Sequence, residues 1–282
     1  MPLTPTPARP AQKISAENFR FLCDAIYKDS GIVIDESKHY LVEARLNPLV
    51  RTEGLDGLDS LCNLIRAVSG AKLRGRVVEA MTTNETLFFR DVKPFDSLRE
   101  VVFPELFVRK KLERRIRVWC AACSSGQEPY SIGMLWRELA LPGWDLQILA
   151  TDLSDDILAK ARAGSFLQLE VNRGLPAKYL VKYFERDGSN WVIKPEIKQL
   201  IRWEKFNLLD SMSRLGPFDL VFCRNVLIYF DQQTKARILA GIRGRMNRGA
   251  YLFLGASETT LNLDETLRRT VVGPSVAYQN LE

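Results

Sequence analysis

The spacing of hydrophobic residues divides this chain into two parts. Up to about residue 81, apolar residues recur three and four positions apart, as they do on one face of a helix. Four such groups end near a glycine or a polar stretch, and they cover Phe19–Ile26, Leu41–Val50, Leu58–Ile65 and Val77–Met81. This pattern predicts an all-helical N-terminal domain over residues 14–81.

Beyond this region the pattern becomes that of an α/β protein. Residues 82–91, TTNETLFFRD, have neither the helical nor the strand period and predict a linker. After them, short apolar runs alternate with helical segments. Strands are predicted at 115–121, 146–152, 218–223 and 250–256, a helix at 129–139, and a closing hairpin over 269–279. The alternation predicts a doubly wound sheet over residues 92–282, with ligands at the carboxyl ends of its strands.

Two segments depart from this order. Between Ser165 and Phe206, a short helix, the polar turn Asp187–Asn190 and two β-prone stretches predict an inserted small β-subdomain. Residues 1–13, MPLTPTPARPAQK, contain no apolar segment. They predict a disordered tail and not a signal peptide.

Composition narrows the class of protein. No run approaches the roughly 20 apolar residues of a membrane-spanning helix, and five cysteines fit a reducing compartment, so a cytoplasmic protein is expected. Cys120 and Cys123 form a C-x-x-C pair, but with no second pair and only His39 as histidine, no metal site is predicted. The net charge of +6 favours an acidic partner. The basic run 109–117 has no interleaved aromatic residue for stacking bases.

The segment from Arg117 to Asp152 has the layout of a nucleotide-binding βαβ unit. A strand leads into the small-residue loop CAACSSG, a helix follows, and a second strand ends in Asp152. Small residues let the backbone approach a ligand, and the acid can accept hydrogen bonds from ribose hydroxyls. Neither G-x-G-x-x-G nor G-K-[ST] is present, which disfavours a pyrophosphate. A nucleoside without a phosphate chain is favoured, and S-adenosylmethionine is the leading candidate.

Three further groups of polar residues fall where such a site would need them. Asn207–Asp210 follows a predicted strand, Phe218–Asp231 runs from a buried strand into Arg224, Asn225 and Tyr229, and the linker carries Asn84, Thr86 and Arg90. Each has a plainer interpretation: Asn207 as a turn cap, Tyr229 as core, Arg90 as a surface charge. Their joint position at predicted strand ends favours a common site.

Five blocks of this sequence resemble the signature blocks of one family, the chemotaxis-receptor glutamate methyltransferases (the CheR family). The resemblance extends in order from about Ser15 to the end of the chain. The blocks are TTNETLFFRD (82–91), SSGQEPYS (124–131), ATD (150–152), FNLL (206–209) and FCRNVLIYFD (222–231).

The resemblance implies a Rossmann-like S-adenosylmethionine-dependent methyltransferase domain behind a helical domain, with receptor glutamate side chains as acceptors. It carries over a set of cofactor-binding residues: Asn84, Thr86, Arg90, Glu128, Asp152, Asn207, Leu208, Arg224 and Asn225. Arg90 and Tyr229 carry over as the residues nearest the chemistry, and the sequence leaves open whether Arg90 holds cofactor or acceptor.

Two other functions remain open from the residues. A nucleic-acid methyltransferase would suit the basic charge, and Asn225-x-x-x-Tyr229 is related to the Asn/Asp-Pro-Pro-Tyr/Phe loop of amino-methylating enzymes, but Val226 and Leu227 replace the two prolines. A non-catalytic cofactor-binding regulator is disfavoured by Arg90 and Tyr229. We therefore expect no nucleic-acid partner, no membrane insertion and a monomer.

Recognition of the acceptor gives two further expectations. Lys38 and Arg45, seven residues apart on the second predicted helix, and Arg51 near its end are predicted to face an acidic receptor helix. The alternative is a solvated helix face.

Some members of the resembling family dock a receptor C-terminal peptide on the β-subdomain through a longer, glycine-containing loop. Here only Asp187–Asn190 is present, which predicts independence from such a tether.

Overall fold

The computed structural model describes residues 14–67, 70–139 and 141–281. It divides between Thr83 and Asn84 into two compact units. Residues 84–91 of the predicted linker therefore belong to the second unit. The predicted tail, residues 1–13, lies outside the described residues.

The first unit is helical over its described residues, as the apolar spacing predicts. Its four helices are α1 (Ala16–Ser30), α2 (His39–Thr52), α3 (Leu58–Arg66) and α4 (Ala71–Met81). Ser15 caps α1, accepting a hydrogen bond from the backbone N–H of Asn18, and Gly31 ends it at a positive φ of 75°. The predicted apolar faces, including Leu22, Ile26 and Leu46, form one buried core. This burial stabilises helices that would be marginal alone.

The second unit is built on a seven-stranded sheet. The five strands that run parallel are β1 (Arg115–Ala121), β2 (Asp145–Asp152), β6 (Ile201–Lys205), β7 (Phe218–Cys223) and β8 (Met246–Leu254). An antiparallel hairpin of β9 (Leu267–Val272) and β10 (Ser275–Asn280) completes the order β6-β2-β1-β7-β8-β10-β9. The order reverses direction around β1, and this is the point at which open α/β sheets bind ligands. The doubly wound prediction is confirmed.

Helices accompany these strands. Those of the second unit are α5 (Lys93–Ser97), α6 (Phe103–Arg109), α7 (Gln127–Leu139), α8 (Asp155–Ala163), α9 (Gln168–Asn172), α10 (Ala177–Tyr183), α11 (Pro195–Lys198) and α12 (Gln232–Arg243). The middle strands are buried along most of their length, and all six residues of β7 are buried. Strands buried on both faces read as continuous apolar runs, which is why the sequence pattern located them.

A three-stranded antiparallel sheet interrupts this order. Its strands are β3 (Ser165–Leu167), β4 (Phe184–Asp187) and β5 (Asn190–Ile193), in the order β3-β5-β4. The β-subdomain is thus confirmed, but its predicted extent, 165–206, was too long. Ile201–Lys205 pairs with β2 in the main sheet. A short β-prone stretch has the same pattern in either sheet, so only pairing decides where it belongs.

Candidate functional site

The candidate site is formed by loops at the carboxyl edge of the main sheet. Because β1, β2 and β7 are parallel neighbours, their last residues Ala121, Asp152 and Cys223 lie along one edge. The chain continues from these strands into residues 122–126, 153–154 and 224–229. The loops that the sequence singled out are therefore brought together by strand pairing.

The loop after β1 is shaped by the carboxylate of Asp152. The Oδ2 atom of Asp152 accepts a hydrogen bond from the backbone N–H of Ser124 at 2.8 Å, and its Oδ1 accepts one from Ser154 at 3.2 Å. Asp152 is 7% exposed, and its carboxylate fixes both loops at the end of β2.

Close packing leaves no room for larger residues in this loop. Gly126 has a φ of 93°, and a Cβ there would lie 2.8 Å from the Trp203 ring and 3.2 Å from the Ala161 side chain. Ala122 and Ser124 also adopt positive φ values, 56° and 51°. Close packing together with the positive φ of Gly126 therefore requires glycine at that position.

Arg224 lies at the centre of the site. Its side chain is 2% exposed, and its Nη1 donates to Glu128 Oε2 at 2.9 Å. Its Nη2 donates to the carbonyl oxygen of Arg90 at 2.9 Å and to Asp91 Oδ2 at 2.6 Å. One guanidinium thus joins the end of β7, the start of α7 and residues 90–91. Its buried Nε has no hydrogen-bond partner among the described residues.

Glu128 occupies the second position of α7 and is nearly buried. Burial raises the pKa of its carboxyl group above the usual value, and the guanidinium of Arg224 opposes this rise. The positive charge of Arg224 thus partly offsets the cost of burying the Glu128 carboxylate beside the site. Glu128 was assigned from the sequence, but its ion pair with Arg224 was not foreseen, because the two residues are 96 positions apart.

Residues 84–92 run along the same edge in a strained conformation. Phe89, Asp91 and Val92 have positive φ values of 49°, 69° and 51°. Together with Ala122, Ser124 and Asn225 they make six of the eight non-glycine residues with positive φ in the described ranges. Such conformations persist only where the surroundings impose them, and they concentrate at functional sites.

The predicted residues of this segment are held to different degrees. The carbonyl oxygen of Asn84 accepts a hydrogen bond from Ser124 Oγ at 2.8 Å, and Arg90 Nη1 donates to the carbonyl oxygen of Glu85 at 3.0 Å. Thr86 is half-buried. The segment is therefore tied to the loop after β1 through the backbone of Asn84, and the side chain of Asn84 is exposed.

Asn207 and Leu208 follow β6, whose end lies beside that of β2. The Asn207 Oδ1 atom accepts a hydrogen bond from the backbone N–H of Leu209 at 3.0 Å. The residue thus makes the turn that its plainer interpretation required. Leu208 is half-buried. The turn sets the position of both residues and does not exclude a contact to an adenine ring.

Asn225 and Tyr229 lie just beyond β7. Asn225 has a φ of 59°, and Tyr229 ends the 3-10 turn Leu227–Tyr229. Tyr229 is half-buried, which disagrees with a role purely in the core.

Sequence reasoning missed Glu258. Its carboxylate lies against this segment and accepts hydrogen bonds from the backbone N–H groups of Asn225 at 2.7 Å and Val226 at 2.9 Å. The signal that could have found it is an acid three residues beyond Gly255, just after a buried strand.

The cations predicted to meet an acceptor lie in the first unit. Lys38 is exposed, but it belongs to the 3-10 turn Glu36–Lys38 before α2, so its assignment to the helix was wrong. Arg45 is half-buried, and its guanidinium donates to the carbonyl oxygen of Thr82 at 3.0 Å and to Thr83 Oγ1 at 2.8 Å. Arg51 is exposed and lies six positions beyond Arg45, so the two side chains are about a third of a turn apart around the helix. Arg45 is engaged at the end of α4, whereas Lys38 and Arg51 are exposed.

The cysteines at the ends of β1 and β7 are buried thiols. Cys120, Cys123 and Cys223 are free and buried, and burial raises the pKa of each thiol well above its usual value. Among the described residues, no group of three or more His, Cys, Asp or Glu side chains is placed to hold a metal ion. No helix in the same ranges has the length and apolar character needed to cross a membrane.

The fold and this site define a class. A doubly wound sheet with an acid at the end of β2 and a small-residue loop after β1 has the layout of a domain that binds a nucleoside-containing cofactor. Residues 84–273 match the CheR methyltransferase SAM-binding domain, and residues 17–82 match the CheR methyltransferase all-alpha domain.

Relatives with the same domains are similar over nearly the whole chain. The chemotaxis protein methyltransferase Cher2 of Pseudomonas putida is 45% identical over 269 residues, covering 93% of this chain and 96% of that protein. Chemotaxis protein methyltransferase 1 of Pseudomonas aeruginosa is 43% identical over 274 residues, covering 94% and 99%. The chain therefore belongs to the CheR methyltransferase family and contains that family's S-adenosylmethionine-binding domain.

The chain's own residues fit this cofactor. Asp152 places a carboxylate at the end of β2, the position suited to ribose hydroxyls, and the buried Nε of Arg224 is left without a partner among the residues described. The carboxylate of Glu128 is suited to the ammonium of an amino-acid group. A buried donor without a partner is unfavourable unless a ligand or water accepts its hydrogen bond.

The ion pair of Arg224 gives the first prediction. Arg224→Met removes a buried charge partner, so the free energy of unfolding should fall by about 3–5 kcal/mol at neutral pH. The pKa of Glu128 should rise further, because the effect that opposed burial is lost. The stability deficit should shrink as pH falls through this raised pKa, since protonated Glu128 needs no counter-ion. Urea unfolding and carboxyl NMR titration measure these two effects.

Arg202→Met is the matched control, because the Arg202 side chain is 78% exposed. Its free energy of unfolding should change by less than about 0.5 kcal/mol. Equal losses in the two variants would contradict the central role of Arg224.

Proposed function

We propose that this protein transfers the methyl group of S-adenosylmethionine to glutamate side chains of chemotaxis receptors, forming methyl esters. One observation carries the proposal. Arg224 joins Glu128 and Asp91, so three sequence blocks typical of the family converge at the carboxyl edge of the sheet. The proposal goes beyond family membership in naming the acceptor group and the ester product.

The proposed reaction suits the residues of the site. A glutamate carboxylate, with a usual pKa near 4.3, is already an anion at neutral pH and is itself the nucleophile. Bound S-adenosylmethionine supplies a methyl group on a positively charged sulfur. No proton has to be removed, so a chain whose only histidine is His39 lacks nothing that this chemistry needs. The protein contributes orientation and exclusion of water, worth roughly 7–11 kcal/mol in favourable models.

Each residue has a proposed role. Asp152 binds the ribose, Glu128 binds the ammonium of the amino-acid portion, and the turn at Asn207 and Leu208 contacts the adenine. Asn84, Thr86, Arg90, Arg224 and Asn225 complete the cofactor site, Arg224 mainly by holding residues 90 and 91. Tyr229 orients the acceptor carboxylate by a hydrogen bond, and Arg90 holds either that carboxylate or the cofactor's.

The proposed activity has a direct test. The protein is incubated with methyl-labelled S-adenosylmethionine and the cytoplasmic fragment of a chemotaxis receptor, or with RNA. We expect label in the receptor fragment that mild base releases, together with a 14-dalton increment on glutamate-containing peptides. Base-stable label, or label in RNA, would refute the ester proposal.

Asp152→Ala should weaken cofactor binding about 10-fold or more, since a hydrogen bond to a charged group contributes about 1.5–3 kcal/mol. The loss of its bonds to Ser124 and Ser154 adds to this effect. Calorimetry with S-adenosylhomocysteine measures the affinity. Asp156→Ala, which changes an exposed acid on α8, should leave it unchanged. Equal affinities in the Asp152 variant and the wild type would exclude the ribose role.

Tyr229→Phe should lower kcat roughly tenfold or more and leave the cofactor Kd near the wild-type value. The hydroxyl orients the acceptor and makes no proposed contact to the cofactor, so its loss affects turnover. Tyr40→Phe is the control, because Tyr40 is 70% exposed. A lower Tm with an unchanged kcat would show that Tyr229 is structural instead.

The exposed cations of the first unit are proposed to attract glutamate-rich receptor helices. The double change Lys38→Glu and Arg51→Glu should lower the rate of receptor methylation and weaken its dependence on salt. Lys72→Glu, which reverses one exposed charge at the start of α4, where no contact is proposed, should keep the wild-type rate. Receptor methylation at the same rate by the double variant and by the wild type would contradict the proposal. Arg45 stays a predicted contact, but it is left unchanged because it caps α4.

We further propose that no receptor tether peptide binds the β-subdomain. The hairpin between β4 and β5 turns over Gly188 and Ser189 alone, and the edge strands β3 and β4 have only three and four residues. A short edge offers few main-chain groups for an added strand. Calorimetric titration with the C-terminal pentapeptide of a tethered receptor should show no binding, as with a scrambled peptide. Micromolar affinity would overturn this.

A further inference from the structure

We infer that Glu258 is a positioning residue, whose carboxylate fixes the segment Asn225–Tyr229 so that Tyr229 meets the acceptor. The inference rests on the proposed function, because it concerns how that reaction's tyrosine is held. Glu258 touches none of the reacting groups proposed above and acts through the backbone of this segment.

The Glu258 carboxylate is fully occupied by backbone donors. Its Oε2 accepts hydrogen bonds from the N–H groups of Gly255 at 2.6 Å and Asn225 at 2.7 Å. Its Oε1 accepts from Val226 at 2.9 Å and, more weakly, from Ile228 at 3.3 Å. Four donors match the roughly four acceptor positions of a carboxylate. Both oxygens are therefore needed.

The backbone around this carboxylate directs several N–H groups toward one place. Asn225 has a φ of 59°, and the successive N–H groups that follow it point toward one concave site, an arrangement that binds anions. A Cβ at position 255 would lie 2.7 Å from Glu258 Oε2 and 2.9 Å from the Asn225 nitrogen. The approach of the two loops is thus close enough to require glycine, and the side chain of Glu258 fills the space between their donors.

Tyr229 depends on this arrangement through a short connection. The 3-10 turn Leu227–Tyr229 begins directly after Val226, and its middle residue, Ile228, also donates to Glu258. Releasing the N–H groups of residues 225, 226 and 228 would let the turn shift. A displacement of about 1 Å in a positioning group can reduce turnover about 100-fold.

Glu258→Gln tests this at constant side-chain volume. The amide nitrogen of glutamine donates and cannot accept, so in either orientation it would face two backbone N–H groups. We expect kcat to fall about 10- to 100-fold. Glu265→Gln, the same change at an exposed acid, should retain the wild-type kcat. Hydrogen exchange should accelerate at the amides of Asn225, Val226 and Gly255 in the Glu258 variant alone.

A double-mutant cycle separates positioning from a general loss of structure. If Glu258 acts through Tyr229, then Glu258→Gln should lower kcat much less in a Tyr229→Phe background. The inference would be overturned if Glu258→Gln lowered kcat by the same factor in the wild-type and in the Tyr229→Phe background. Unchanged hydrogen exchange at the three amides would also overturn it. If Glu258→Gln does not fold, Glu258→Asp keeps both oxygens and should give intermediate exchange and kcat. If the wild-type protein forms no ester on a receptor fragment, the proposed function is refuted. Hydrogen exchange at the three amides would still test whether Glu258 holds this backbone.

Discussion

A buried positive charge that must be compensated is the constraint around which the site is organised. The Arg224 guanidinium is almost wholly removed from water, and such a charge is tolerated only when its neighbours supply acceptors. The acceptors come from Glu128 on α7 and from the backbone and side chain at residues 90 and 91. Compensation of one charge thus places the start of α7 and the strained segment 89–92 beside the end of β7.

Two carboxylates act in a second way, as acceptors for the backbone of loops. Asp152 holds the loop after β1 and the start of α8. Glu258 holds the segment after β7 and the turn after β8. Loops with positive φ values leave N–H groups without sheet or helix partners, and an ionised side chain satisfies several of them at once. Within these loops, hydrogen bonds to the two carboxylates therefore offset the cost of the positive φ values.

This organisation fits a reaction in which the protein moves no proton. In the proposed transfer, both reactants bring their own charges, so the rate depends on alignment and on exclusion of water. A site fixed by ion pairs and by backbone hydrogen bonds to carboxylates is suited to that task. The small β-subdomain and the exposed cations of the helical unit would then concern how the receptor is found, which is separable from the chemistry.

The sequence alone indicated a helical N-terminal region, four strands of the main sheet with its closing hairpin, and the loops that carry the candidate site residues. Apolar periodicity follows directly from burial on one or both faces of an element, so β7 and the core face of α1 could be located from spacing. The small-residue loop and Asp152 were recognisable because both belong to one short βαβ unit. Arg224 was recognisable from its position directly after the predicted strand 218–223. The resemblance to the CheR family supplied Glu128.

Tertiary structure decided the partners. The pairing of Ile201–Lys205 with the main sheet, the ion pair between Arg224 and Glu128, and the use of Arg45 to cap α4 all join residues far apart in the chain. A charge or a β-prone stretch looks the same in sequence whether it faces solvent or a partner. Glu258 was missed for this reason, since an acid after a strand reads as a surface residue until the N–H groups of another loop are placed against it.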